Sequence, residues 1–222
     1  MRTLGLIGRG MSDTLEHLLP FTLLTLAWWL GMLLMVTGPG ATVALFAMTD
    51  PRRVSDRPEW REAVAAARAN RGKGWALALA TLTPLVVLAA NLAVYTEEGG
   101  RWAWLVPLWS YLLAFGVLVA LSSASVAALT GAGVRTSLRR AVALVATAPV
   151  RSLVVVFALV ALTLVGVALV VPLVMFVPAM VAAIVNRLVL TGLGMEVPDP
   201  LAPTPEREAE VRRSSASSRF GP

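Results

Sequence analysis

The 222-residue sequence has no cysteine, one histidine (His17), one lysine (Lys73) and two tyrosines, and only 14% of its residues are charged. Without cysteine there can be no disulfide, thiol nucleophile or cysteine metal ligand. A single histidine cannot build a multi-histidine metal site, or a Ser-His-Asp triad unaided. No Walker lysine loop, glycine-rich nucleotide fingerprint or HExxH helix occurs, so ATP hydrolysis and zinc proteolysis find no support. Neither a metal nor a cofactor is expected.

What is abundant is apolar: 57% of residues are hydrophobic and the mean hydropathy is +0.75. Soluble globular chains carry about half apolar and about a quarter charged residues. The balance excludes disorder and points to a chain that uses lipid as solvent. The basic side chains, 19 against 13 acidic ones, lie in loops between apolar runs. Membrane topology therefore explains the high pI better than nucleic-acid binding does.

Residues 18–49 carry no charge. About 20 apolar residues cross a bilayer core, so this run exceeds one simple helix. Pro20 and Gly38-Pro39-Gly40 divide it, and two placements compete, a span over 18–37 or one over 28–48; the first span is accordingly set near 21–48. The second puts Trp28 and Trp29 at headgroup level. A cleaved signal peptide is not expected, because the run starts late, is too long and lacks a small-x-small site. Further spans are expected over 75–95 and 104–130. The last uncharged run, 152–186, is long for one span and short for two. A hairpin near Val171-Pro172 would give spans 152–171 and 173–190, with Arg151 and Arg187 snorkelling to the interface.

With five spans, sixteen of the nineteen basic residues fall on one side, which must be cytoplasmic. The N-terminus is then outside and the C-terminus inside. Tyr95, Trp102, Trp104, Trp109 and Tyr111 cluster at the outer ends of spans two and three as an aromatic belt. The expected architecture is all-α: a polytopic bundle of about five transmembrane helices with one or two interfacial helices. The membrane domain covers 1–195, and 196–222 form a disordered cytoplasmic tail too rich in Pro, Ser and charge to fold.

A repeat underlies this layout. Residues 40–45 align with 123–128, and the same offset pairs Arg52 with Arg135 and Trp28 with Tyr111. A basic, alanine-rich amphipathic stretch follows each, 60–70 and 138–148, before the next span. Trp60, Val64 and the alanines of the first stretch are expected on apolar surroundings, with the arginines toward water, anionic headgroups or a cytoplasmic partner.

The run Ala27-Trp28-Trp29-Leu30-Gly31, followed by Gly38-Pro39-Gly40-Ala41-Thr42-Val43-Ala44-Leu45-Phe46, resembles the signature of the YesL-like family. These are small bacterial integral membrane proteins classed as a domain of unknown function. The family pattern reads Gly-Pro-Ala-Thr-Ala-Ala-Leu-Phe; here Gly40 is inserted and Val43 replaces an alanine. The resemblance implies a bacterial plasma-membrane protein, a carbohydrate ABC transporter component as partner, and no catalytic residues.

Trp28, Trp29, Gly38, Pro39, Gly40, Ala41, Thr42, Leu45 and Phe46 are therefore the candidate site, a helix break of the kind that lines substrate paths in transporters. A plain kink or helix end explains the same residues without function. Trp28-Trp29 would serve as an interfacial anchor or a sugar-stacking platform. Ser122, Ser123, Ser125, Thr81, Thr83 and Asn91 could line a neutral-solute path, or bond to backbone and neighbouring helices. Gly116, Ala120, Ala124 and Ala128 recur every four residues as a helix-packing face, and Gly72, Ala76 and Ala80 repeat the spacing. Asp50 is expected to cap a turn with Pro51. No span interior carries an ionisable residue, which argues against ion coupling and intramembrane acid–base catalysis. Two functions remain: a non-catalytic accessory or regulatory protein linked to carbohydrate uptake, or an uncoupled permease or channel for a small neutral solute.

Overall fold

The structure, a computed structural model, describes residues 3–16, 18–34, 37–53, 60–98, 100–170 and 175–197. These are predominantly helical and contain no strand. In chain order the helices are α1 (Thr3–Glu16), α2 (Leu18–Leu33), α3 (Gly38–Met48), α4 (Trp60–Ala69), α5 (Arg71–Glu98), α6 (Val106–Thr130), α7 (Val134–Thr147), α8 (Pro149–Leu169) and α9 (Val177–Gly192), with 3-10 turns at Pro51–Arg53 and Gly100–Leu105. The expected hairpin at 171–172 and the tail beyond 197 lie outside the described residues.

Among the described residues three helical stretches are long and apolar enough to cross a membrane: Arg71–Glu97, Trp102–Thr130 and Pro149–Leu169. At 1.5 Å per residue each exceeds the roughly 30 Å hydrocarbon core. Their outer faces fit lipid rather than water. Leu79, Val86, Phe157 and Leu164 are all more than half exposed, which water would penalise and acyl chains do not.

α5 and α6 form an antiparallel pair that can be followed along its length. At one end Lys73 Nζ donates to Gly131 O at 3.2 Å. Midway, a Cβ on Gly116 would stand 2.9 Å from Leu85 Cδ2. At the other end the Tyr95 and Trp109 rings stack 5.9 Å apart, and Trp102, Trp104 and Tyr111 are exposed nearby in sequence. The aromatic belt expected from sequence thus marks one end of the pair, and the cations mark the other. Gly131, at φ 66°, ends α6 in the left-handed conformation that glycine adopts without a Cβ penalty.

The surface helices read as amphipathic. In α7, Ser137, Ala141 and Val145 are fully buried at i, i+4, i+8, while Arg135, Arg139 and Arg140 are exposed. In α4, Ala63 is buried, Val64 and Ala66 are half-buried, and Arg61 and Arg68 are exposed; the Trp60 side chain lies outside what is described. Each surface helix leads into a long apolar one, α4 into α5 and α7 into α8. That order of a surface helix before a long one occurs twice, but the pairing of Trp28 with Tyr111 does not carry over, because Trp28 lies on α2, folded back on α3, and Tyr111 on the continuous α6; the stretches 40–45 and 123–128 meet where Val43 and Ala127 share a small buried cluster with Leu77.

The first apolar run departs from expectation. Residues 21–48, read from sequence as one span, are two helices folded back on each other. Trp28 Nε1 donates to Thr42 Oγ1 at 3.1 Å, and a Cβ on Gly31 would meet Ala41 Cβ at 2.8 Å. Such contacts are impossible in one continuous helix, where 28 and 42 would be about 21 Å apart. The cause is Gly38-Pro39. Proline in the first turn of α3 needs no N–H partner and presets the helical φ, so a new helix starts there. The α2 terminus is closed by Thr37 Oγ1, which donates to Gly31 O at 2.9 Å.

α3 has 11 residues, about 16 Å, and both its ends rest on the same end of the α5–α6 pair. A Cβ on Gly40 would lie 2.6 Å from Ala67 O and 3.1 Å from Arg71 Cα, and one on Gly74 would lie 2.5 Å from Pro39 O. Just beyond the other end of α3, Arg52 Nη2 donates to Leu129 O at 3.2 Å.

α9 is the core helix. Ile184, Val185, Leu188, Val189 and Leu190 are at most 1% exposed. α1 lies on α9 closely enough that a Cβ on Gly10 would reach Ile184 Cγ1 at 2.9 Å. The uncharged run from 152 thus yields two helices, α8 and α9. Arg187, expected to snorkel to the interface, is instead buried within the bundle at 3% exposure. α9 is enclosed by its neighbours on all sides, so the stem has no open surface to run along. Arg151, in the first turn of α8, is half-buried.

Candidate functional site

The fold-back of α2 on α3, covered at one edge by α4, leaves a groove of about 470 Å³. It exists because the three helices present small side chains to it: Ala27 and Gly31 from α2, Ala41 and Ala44 from α3, Ala63 and Ala67 from α4. Leu24, Leu30 and Leu34 extend the apolar wall, and the margin carries Arg68 and Arg71. The two arginines are placed by the tight corner just described, because Gly40 lets α3 touch the α4–α5 junction directly.

The candidate residues read from sequence divide between this groove and the core behind it. Trp28 lines the groove and is turned inward onto Thr42, whose own hydroxyl donates to Gly38 O at 3.1 Å. Trp29 meets Trp28 edge-on at 5.0 Å, so the pair does not offer two parallel faces to a sugar. Gly38, Pro39 and Gly40 begin α3; Ala41 faces the groove; Leu45 lines the groove and Phe46 is buried in the core. The small-residue face of α6 is split. Gly116 abuts Leu85 of α5, Ala124 is buried, and Ala120 and Ala128 are half-buried. Gly72, Ala76 and Ala80 are exposed and carry no comparable close approach of α5 to another helix.

On the opposite side of α3 is a buried polar node. Asn186 of α9, fully buried, donates through Nδ2 to Phe46 O at 2.8 Å and to Thr49 Oγ1 at 3.1 Å. Its Oδ1 accepts from Ser125 Oγ of α6 at 2.6 Å. Thr49 Oγ1 in turn donates to Leu45 O at 2.9 Å. One amide thus joins α3, α6 and α9. Neither Asn186 nor Thr49 was marked by sequence reasoning. An amide beside Arg187 in the middle of a largely apolar helix is the signal that could have found it.

The other polar residues offered as a solute path are bonded within their own helices. Ser123 donates to Ala120 O, Thr81 to Leu77 O, Thr83 to Leu79 O and Asn91 Nδ2 to Val87 O. Ser122 Oγ is buried with no hydrogen-bond partner among the described residues. Among the described residues no group of three histidine, aspartate or glutamate side chains could hold a metal ion.

Asp50 caps the turn after α3: Arg52 N donates to Asp50 Oδ1 at 3.0 Å, and the guanidinium grips both carboxylate oxygens. Those hydrogen bonds raise the Arg52 pKa above its ordinary value, burial opposing and the charge of Asp50 assisting. The cation is thereby held on the C-terminal carbonyls of α6, which lack intrahelical partners.

Comparison with family models, with curated proteins and with solved structures returns no match for the chain. The fold and site define the class, a helical protein with three helices able to cross a membrane.

Proposed function

We propose that the chain is a non-catalytic integral membrane protein of the bacterial plasma membrane, an accessory or regulatory component linked to carbohydrate uptake, as its YesL-like resemblance implies. The observation that supports a non-transporting role is the polar node. The amide and hydroxyls that a conduit for neutral solutes would expose are joined to one another at Asn186, Ser125 and Thr49, and so act as interhelical ties. The arginine-rich ends of α5, α6 and α8 face the cytoplasm in this reading. Affinity capture of the full chain from mild detergent, after growth on inducing sugars, should recover an ABC transporter component; failure to recover any would overturn the accessory role. Because the chain has no cysteine, single cysteines at Arg101 and Arg135 report orientation directly. Impermeant maleimide should label the first in intact cells and the second only after lysis.

A second reading is favoured by Ser122, whose buried hydroxyl has no partner among the described residues. An uncoupled permease for a small neutral solute would use such a group. Flux in proteoliposomes that falls with Ser122→Ala would establish it, and absence of flux for every neutral solute tested would end it.

A further inference from the structure

The groove between α2, α3 and α4 has a chemistry that neither reading above uses. We propose that it is a binding site for an anionic phospholipid, one acyl chain lying between α2 and α3 and the phosphate held by Arg68 and Arg71.

Its volume of about 470 Å³ is of the size that takes a small molecule or chain, within the roughly 300–1,000 Å³ of ligand sites. It is too small for a partner helix, which would bury a far larger face. The walls are alanine, glycine and leucine, with the Trp28 ring fixed at one side by its bond to Thr42. Val64 and Thr37 complete the lining, and the Thr37 hydroxyl is already given to Gly31 O at 2.9 Å.

The charged residues of the lining are Arg68 and Arg71, so its charge is of one sign. Arg68 and Arg71 are exposed, and no carboxylate is paired with either among the described residues. Glu62 of α4 is taken by Arg53 at 3.0 Å, and Asp50 by Arg52. The two free guanidiniums sit three positions apart across the α4–α5 corner. That corner is fixed by Asn70 N donating to Ala66 O at 3.0 Å and Gly74 N to Asn70 O at 2.7 Å, and by the contact of Gly40 with Ala67 and Arg71. Guanidinium forks match phosphate oxygens bidentately. A zwitterionic headgroup would bring a quaternary ammonium against the same two cations, so the site should discriminate by charge. An apolar slot with a paired-arginine lip is therefore complementary to an acyl chain ending in a phosphodiester.

Native mass spectrometry of the full chain in mild detergent tests this, titrating dioleoyl-phosphatidylglycerol against dioleoyl-phosphatidylcholine. The expected result is a one-to-one phosphatidylglycerol adduct bound at least about tenfold more tightly than phosphatidylcholine, a difference of about 1.4 kcal/mol. Arg68→Gln with Arg71→Gln, both exposed and so harmless to folding, should bring the two lipids to parity. Ala27→Leu, which fills the slot, should weaken both lipids while the thermal transition of the protein persists. Equal binding of the two lipids by the unaltered chain would overturn the proposal. So would a preference that survives removal of both arginines. Loss of preference with Ala27→Leu binding unchanged would leave only a surface headgroup contact and refute the slot. A dimer abolished by Ala27→Leu would instead make a second copy of the chain the occupant.

Discussion

Replacing Asn186 by leucine keeps the side-chain volume close to native and removes only the polar tie between α3, α6 and α9. Three interhelical hydrogen bonds go: two donated by Nδ2 and one accepted from Ser125. Such bonds inside membranes average about 0.6 kcal/mol each and reach about 1.7 kcal/mol. A loss of about 2 kcal/mol follows, about 30-fold in the folding constant. The loss is not uniform among the partners. Thr49 keeps its bond to Leu45 O, whereas Ser125 Oγ is left fully buried with its acceptor gone. An unpaired buried hydroxyl costs more than the removal of both partners. Asn186→Leu should therefore be less stable than the double variant Asn186→Leu/Ser125→Ala, although the double variant has lost more native groups. Titration with SDS in mixed micelles, followed by the fluorescence of the seven tryptophans, measures both. A single variant as stable as the native chain, or a double variant less stable than the single, would refute the view that this amide ties the helices.

Gly40→Ala and Gly74→Ala each push a Cβ onto backbone atoms, at 2.6 Å and 2.5 Å, and should cost about 1–3 kcal/mol as overpacking. Gly72→Ala, with nothing within 4 Å, should be neutral or stabilise by up to about 1 kcal/mol through helix propensity; the same SDS titration compares all three. Arg52→Ala with Lys73→Ala strips two donors from the C-terminal carbonyls of α6, so amide exchange near Ala128–Thr130 should rise. Since the Asp50 hydrogen bonds raise the pKa of Arg52, its contribution would be lost only as pH climbs past that raised value, and the protection factor, which corrects for base catalysis of exchange, should stay flat between about pH 6 and pH 10. Glu62→Gln, which breaks an exposed pair with Arg53, should change stability by less than about 0.5 kcal/mol. Trp28→Phe keeps a ring in the groove wall but frees Thr42 Oγ1, and should blue-shift the remaining emission only slightly while lowering stability by about 1 kcal/mol.

Apolar length and loop charge made α5, α6 and α8 legible, because a helix that crosses lipid must be long, uncharged and bounded by polar residues. The amphipathic stretches that became α4 and α7 were legible for the same reason, a 3.6-residue alternation of alanine and arginine. In the 18–49 run the break at Gly38-Pro39-Gly40 was legible and the fold-back that follows it was not. Hydropathy reports the solvent a segment prefers and not the direction it takes, so two short helices folded back on each other read the same as one long one. Only the close contacts of Gly31 with Ala41 and of Gly40 with Ala67 decide the matter, and these depend on helices distant in sequence. The groove was hidden for the same reason. Its alanines are common in this chain and become a cavity only where three helices bring them together. Arg187 was misjudged because its position near the end of an uncharged run suggested an interface. The packing of α9 in the centre of the bundle buries it instead.

α3 is the element on which these features converge. One face, Ala41 and Ala44, forms the wall of the groove; another, the Phe46 carbonyl and Thr49, is held by Asn186; Gly40 meets the corner that carries Arg71. A rigid helix of 11 residues cannot shift at one of these faces without moving the others. Lipid in the groove and the polar tie in the core should therefore be coupled, and binding coupled to a packed element is reciprocal. Phosphatidylglycerol at about 100 times its dissociation constant would stabilise the native chain by about 2.7 kcal/mol. If Asn186→Leu lets α3 relax, the same lipid concentration should stabilise that variant less, and its phosphatidylglycerol adduct should be weaker although Asn186 lies outside the groove lining. Identical lipid affinities in the two proteins would show that the two faces of α3 act independently, and would refute the coupling while leaving the lipid site standing.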